Sequence, residues 1–390
     1  MRKLLVNEAE TVALLQELIR INSVNPDLVR GGNGEYQIAR FLGNYLREMG
    51  LAVEYQEVKP GRPNVIGRLK GSGGGKSLML NGHTDTVSVT GMDIAPLDPR
   101  VEGGKIYGRG SLDMKGGLAA MIAAVKGLVD SGVRLKGDLL LALVVDEEYA
   151  SLGTEALVTK YAADAAIICE PTNLEIVIAH KGFAWIRIEV SGQSAHGSRP
   201  DLGIDAIVKA GKVLTAVEDL QRDVLSRRQH PLLGSPSLHA SIISGGTELS
   251  TYPDYCRLEL EWRTLPYETK ESVIEEVRLL LDRLSQADEQ FRAGFEVFFY
   301  RPGLEVAEDQ PIVESLRRTF ANRSDQSPRF AGMGGWMDSA ILAAAGIPSV
   351  IFGPAGAGLH AAVEYVDCAS VIETAAVLSE VIVDYCGAPE

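Results

Sequence analysis

Cysteine is scarce in this sequence. Its four residues, Cys169, Cys256, Cys368 and Cys386, lie far apart and form no CxxC pair. That spacing suggests neither a disulfide framework nor a thiolate zinc knuckle, and it suits a reducing compartment. Positive charge is also short: 38 Lys+Arg stand against 52 Asp+Glu, for a formal net charge of -14. Nucleic acid and anionic membranes reward basic clusters, so neither is expected as a partner, and a small molecule fits better. No apolar stretch approaches the roughly 20 residues of a membrane span. The opening Met1-Arg-Lys-Leu-Leu-Val6 begins like a leader, but Asn7, Glu8 and Glu10 end the apolar run too early. A cytoplasmic protein is therefore expected.

Two mechanistic motifs are missing as well. In Gly71-Ser-Gly-Gly-Gly-Lys76-Ser77 a phosphate-cradling loop would need glycine at position 70, which is Lys70, and would have to lead into a helix. This segment leads into an apolar strand, so an ordinary hairpin turn is expected. Gly192-Gln-Ser194-Ala-His196 lacks the final glycine of a nucleophile elbow, which removes the anchor of a serine-hydrolase reading.

What is present is a long alternation of helices and strands. At 390 residues and 46% hydrophobic, the chain exceeds the about 250–300 residues over which single cores grow, so two domains are expected. Two amphipathic helices open it, one with Val12, Leu15, Leu18 and Ile19 on a face, the next with Ile38, Leu42 and Leu46, ended by Gly50. Apolar runs at Leu78–Leu80, Leu139–Val145 and Ala165–Cys169 then alternate with helical stretches at Met114–Val129 and Thr154–Tyr161. Short continuous runs between helices predict strands covered on both faces, hence α/β architecture with a large, mostly parallel sheet. From Phe183 the texture changes to strict alternation, as in Trp185–Val190 and Cys256–Trp262, with helical stretches at Ile204–Leu220 and Lys270–Leu284. That rhythm predicts an inserted smaller α+β sandwich. The predicted division is 1–180 and 302–390 for the large domain and 181–301 for the insert.

The chemistry-bearing residues follow predicted strands. Leu78–Gly82 runs into His83-Thr-Asp85, Leu140–Val145 into Asp146-Glu147-Glu148, and Ala166–Cys169 into Glu170. Carboxyl ends of parallel strands line the ligand crevice of such sheets, so these groups should converge. Several carboxylates in one crevice repel one another and have their pKa values raised unless cations neutralise them. Two divalent ions balance three carboxylates and one hydroxide. Mixed imidazole and carboxylate ligands favour zinc, with cobalt or manganese as substitutes.

Six strings carry a resemblance: Asn81–Val87, Gly108–Gly117, Asp146-Glu-Glu148, Glu170-Pro-Thr172, Ser194–Pro200 and Gly358-Leu-His360. In this order they resemble the co-catalytic di-zinc metallopeptidases and amidohydrolases that include acetylornithine deacetylase, succinyl-diaminopimelate desuccinylase, aminoacylase and glutamate carboxypeptidase. The insert is then a ferredoxin-like lid and dimerisation domain. The resemblance implies that His83 and Glu170 hold one ion, that Glu148 and His360 hold the other, and that Asp113 bridges them through a cis Asp113–Met114 peptide. It makes Glu147 the general base and Asp85 the carboxylate that orients His83. His196 becomes the oxyanion donor, acting within its own subunit or across a dimer, and Arg263 the group near the substrate carboxylate. The implied substrate is an N-acyl amino acid or small peptide, with dipeptidase, aminoacylase and carboxypeptidase as alternatives and a homodimer through the insert as the assembly.

Plainer readings exist for several of these residues. Asp113 and Asp338 could cap helices, Glu147 and Glu148 could open one, and Arg263 could be solvated on a strand. His180, His230 and His239 carry no motif and are taken as ordinary residues. A sensor that keeps the fold without turnover would have lost the base or a ligand, yet all are present. A purely structural dimer would leave the acidic cluster without a purpose. The chain departs from the family at Ser250-Thr-Tyr-Pro253, where many relatives carry Asn-x-x-Pro, and at Glu261, where aspartate is usual.

Overall fold

The computed structural model describes residues 6–323 and 328–388, so the opening residues 1–5 fall outside the description. The chain divides into two compact units, one of Met1–Ile178, Val306–Ala331 and Met337–Glu390, the other of Ala179–Glu305 and Gly332–Trp336.

In the first unit the strands run in the order Ala52–Lys59, Arg62–Leu69, Leu139–Val144, Leu78–His83, Ala165–Ile168, Ser349–Ile351, followed by the start of Ile176–His180. The four middle strands pair in parallel. Antiparallel pairs flank them on both sides. Leu139–Val144, Leu78–His83 and Ala165–Ile168 are buried at every position, because helices cover both faces. Helix Gly116–Asp130, rich in alanine and leucine, packs against Glu8–Arg20 and Cys368–Cys386. Its small side chains permit close approach, and Gly117 is obligatory there: a Cβ would stand 1.9 Å from the Cys169 carbonyl oxygen.

The glycine-rich stretch is not a hairpin turn. The strands it joins, Arg62–Leu69 and Leu78–His83, are separated by Leu139–Val144. It is a crossover connection, with Ser72 and Gly73 donating amides to the carbonyls of Leu135 and Lys136. Gly75 lies so close to the Cys386 carbonyl that a Cβ would meet it at 2.1 Å. Local sequence could not show this, because the intervening strand comes some sixty residues later in the chain.

The second unit has the strand order Ser237–Gly245, Tyr255–Thr264, Gly182–Ser191, Arg292–Arg301, antiparallel throughout. With helices Ala206–Asp223 and Lys270–Ala287 it makes the βαββαβ order of a ferredoxin-like sandwich. Alternate residues Ala184, Ile186, Ile188 and Val190 face Val213, Val217, Val273 and Val277 of the helices in one apolar core. Each of the valine and isoleucine side chains contributes roughly 1.5–3 kcal/mol when fully buried. Asp205 and Thr269 cap the two helices by accepting from the amides of Val208 and Ser272.

Candidate metal centre

Strand register assembles the site. Parallel pairing sets His83 opposite Val144 and Asn81 opposite Ile168, so three strands end level. The residues just beyond each end, Asp85, Asp146 to Glu148, and Glu170, are thereby delivered to one edge. Asp113 comes from the irregular turn Ser111–Lys115, whose Asp113–Met114 peptide is cis. His360 sits on a loop in the left-handed region at φ 57. Non-glycine residues avoid this region, and where the fold imposes it, function is a frequent reason.

Two clusters result, His83 with Asp113 and Glu170, and Asp113 with Glu148 and His360; in each, the donor atoms lie within 4.8 Å of one another. His83 Nε2 is 3.0 Å from Asp113 Oδ1 and 3.5 Å from Glu170 Oε1. His360 Nε2 is 3.2 Å from Asp113 Oδ2 and 3.1 Å from Glu148 Oε2. Asp113 therefore touches both imidazoles with different oxygens.

The electrostatics follow from burial and like charge. Burial pushes the Glu148 carboxyl up to about 7, and the charge of Asp113 adds to this. Glu170 and Glu147 are driven well above the usual carboxylate range by burial first, against the pull of His83; the charge of Asp113 adds to the shift of Glu170, and the charge of Glu170 to that of Glu147. Burial opposes charge on His83, but Glu170 and Asp113 outweigh it and hold the imidazole well above its ordinary value. His360 is raised to about 10 by its hydrogen bonds to Asp113 and Glu148. Burial works against Asp113 too, yet its bonds to His360 and His83 keep it below the ordinary range.

Asp85 plays a different part from the one expected. Its backbone carbonyl, 3.0 Å from His83 Nδ1, orients the imidazole, while the nearest carboxylate oxygen is 3.6 Å away. That carboxylate is already engaged, accepting from the amides of Glu147 and Glu148, each at 3.2 Å, and from Asn25 Nδ2 at 2.8 Å. Asp338 does not cap its helix through its side chain. It is buried, accepts from Thr154 Oγ1 at 2.5 Å and is pushed up to about 6 by burial.

His196 and Arg263 belong to the second unit. His196 is exposed, with Nδ1 2.8 Å from Ser198 Oγ. Arg263 donates from Nε to Glu261 at 2.5 Å and lies over the Phe183 ring, so the unusual Glu261 is its partner. Burial pushes the His180 imidazole down to about 4, in keeping with an ordinary core histidine.

Sequence reasoning missed Glu364. Its buried carboxylate accepts from Arg109 at 2.7 Å and from the amides of Gly110, Leu112 and Asp113 at 3.0, 2.9 and 3.1 Å. Its only sequence signal is its place four residues past His360.

Comparison with known proteins agrees with this geometry. The family model described as Peptidase family M20/M25/M40 matches residues 79–384. The N-formyl-4-amino-5-aminomethyl-2-methylpyrimidine deformylase of Bacillus subtilis (strain 168) is 29% identical, over 99% of this chain and 96% of that protein. An acetylornithine deacetylase of Myxococcus xanthus is 29% identical over 83% of this chain and 84% of its own length. Among solved structures, a tripeptidase from Staphylococcus aureus superposes with a TM-score of 0.81 at 23% identity, covering 98% of this chain and 99% of that one. A dinuclear metal binding peptidase from Bacillus subtilis gives 0.75 at 16%, covering 97% and 98%. With the family match running from the first middle strand to the last long helix, the chain belongs to Peptidase family M20/M25/M40.

Proposed function

We propose that this family hydrolase uses two divalent metal ions to cleave the amide bond of an N-acyl amino acid, in the manner of a deacylase. The observation that carries the reading is the pair of ligand sets sharing Asp113, with Glu147 beside them. The donors fit such ions. Glu148 Oε1 is buried with no hydrogen-bond partner among the described residues. Both imidazoles are drawn towards imidazolium to offset crowded carboxylates, a task that a divalent cation in each set performs equally well.

His83, Asp113 and Glu170 would hold one ion and Asp113, Glu148 and His360 the other; nitrogen and oxygen donors favour zinc, with cobalt or manganese as substitutes. Cations bound there would supply Lewis acidity towards the scissile carbonyl and would lower the pKa of an attacking water. Burial and the charge of Glu170 favour the protonated form of Glu147 in the metal-free site; cations in the two sets would offset that shift, leaving a carboxylate that would take a proton from water and return it to the leaving amine. The Asp85 carboxylate holds the peptide that carries Glu147 and Glu148, and its carbonyl holds His83. By motif alone, His196 is assigned to the oxyanion and Arg263 to the substrate carboxylate.

Two relatives named deformylase and deacetylase support a small acyl group as the part of the substrate transferred to water. A cytoplasmic location is consistent with four free cysteines and with the lack, among the described residues, of any helix able to cross a membrane. A homodimer through the second unit is supported by the edge strand Ser237–Gly245, which exposes Ile242 and Ile243, and by Val208 on the helix Ala206–Asp223. The test is hydrolysis of N-formyl and N-acetyl amino acids and dipeptides by protein loaded with zinc or cobalt. Glu147→Ala should lose turnover by a factor on the order of 10²–10⁴ while keeping its metal. Inactivity of the native protein on every amide would overturn the reading, and preference for dipeptides would move it to the peptidases.

A further inference from the structure

Behind the strand ends lies a buried polar network that the proposed chemistry does not use. Arg62, 6% exposed, stands between acidic side chains of three chain segments. Its Nε and Nη2 donate to the two carboxylate oxygens of Glu35, each at 2.6 Å, a bidentate pair. Nη2 also donates to Asp146 Oδ1 at 2.9 Å, and Nη1 to Asp27. Glu35 and Asp146 have no exposed side-chain surface.

From Asp146 the network runs forward. Asn25 Nδ2 donates to Asp146 Oδ1 at 3.0 Å and to Asp85 Oδ2 at 2.8 Å, joining two carboxylates that would otherwise repel. Asp85 then grips the amides of Glu147 and Glu148. Asp146 adopts φ 70, a left-handed conformation that a residue with a Cβ avoids unless its surroundings impose it. Its carbonyl accepts from the amide of Ser151 at 2.6 Å, closing the loop that contains Glu147 and Glu148.

Glu35, Asp146 and Asp85 bring three buried negative charges, and Arg62 is the cation in direct contact with two of them. Removing one partner from such a group leaves buried charge uncompensated, so the arrangement either keeps its geometry or rearranges. We propose that Arg62, clamped by Glu35 and relayed through Asp146, Asn25 and Asp85, is a positioning residue that fixes the backbone carrying Glu147 and Glu148. It sets the direction of one proposed metal donor and of the proposed base without touching either. A lysine cannot replace it, because one ammonium on a flexible stem does not span Glu35 and Asp146 in a fixed fork.

This inference rests on the two-metal reading, so the test separates the two. Zinc is titrated calorimetrically into metal-free native protein, Arg62→Lys and Asn25→Ala, with thermal unfolding of each metal-free protein as the structural control. The native protein should bind two equivalents, and both variants should bind about 10–100-fold more weakly, the range seen when groups supporting metal ligands are altered. On N-acyl substrates at saturating zinc, kcat should fall at least about tenfold with KM nearly unchanged. Variants that melt earlier yet bind zinc with native affinity and turn over normally would overturn the positioning role. If Arg62→Lys does not fold, Asn25→Ala decides alone. A native protein that binds no zinc would instead overturn the two-metal reading.

Discussion

Glu364 offers a sharp test of how the Asp113 turn is held. Its carboxylate accepts four hydrogen bonds, one from the Arg109 guanidinium and three from the amides of Gly110, Leu112 and Asp113. Arg109 and Glu364 retain only 4% and 1% side-chain exposure, so solvent screens the pair little. Glu364→Gln keeps the shape, removes the charge and turns one acceptor into a donor facing other donors. Breaking one side of a buried ion pair costs about 3–5 kcal/mol. Arg109 keeps bonds to the carbonyls of Ser88 and Ala361, so about 3 kcal/mol is expected. The assay is urea unfolding of metal-free protein, followed by circular dichroism at neutral pH. Zinc affinity should fall with stability, because the amide of Asp113 is among those released. A loss below about 1 kcal/mol, the net worth of one ordinary hydrogen bond, would refute the reasoning.

Three further outcomes are expected. Zinc binding should strengthen between pH 6 and 8 and release protons, because Glu148 at about 7 and His360 at about 10 must both deprotonate to act as ligands; calorimetry in buffers of different ionisation heat measures this. Burial lowers His180 to about 4 from an ordinary value of 6.5. The unfolded state therefore binds the extra proton first, so its contribution is complete above about pH 6.5 and is lost as pH falls towards 4. The loss is about 3 kcal/mol, and a pH series of unfolding curves for His180→Asn should be flatter over that window. On the proposed homodimer, Ile242→Lys on the exposed edge strand should shift sedimentation velocity towards monomer while leaving the fold intact; a native protein that already sediments as monomer, or an unchanged coefficient in the variant, would argue against that edge as an interface.

The proposed metal donors stood out in the sequence because each lies in a short string attached to a recognisable element. His83, Glu148 and Glu170 follow apolar runs too short for helices and too continuous for half-exposed strands. The helices of the second unit were legible through their amphipathic periods, and its strands through alternation. Glu364, Arg62, Glu35 and Asn25 carry no such signal, since each acts on residues 27 to 255 positions away. Asp85 was singled out, but sequence could not say which of its oxygens would meet the histidine.

Local order along the chain thus determined which segments became covered strands, where the alternating insert began, and which side chains would stand at strand ends. Those are short-range consequences of hydrophobic period and turn chemistry. Tertiary structure alone decided that Leu139–Val144 would slot between Arg62–Leu69 and Leu78–His83, turning an expected hairpin into a crossover. It also decided the parallel register that levels three strand ends, and the choice of buried carboxylates that hold backbone amides. The physical reason is that burying a charge is tolerated only when distant segments bring its partners, and which segments meet is settled by packing the whole core.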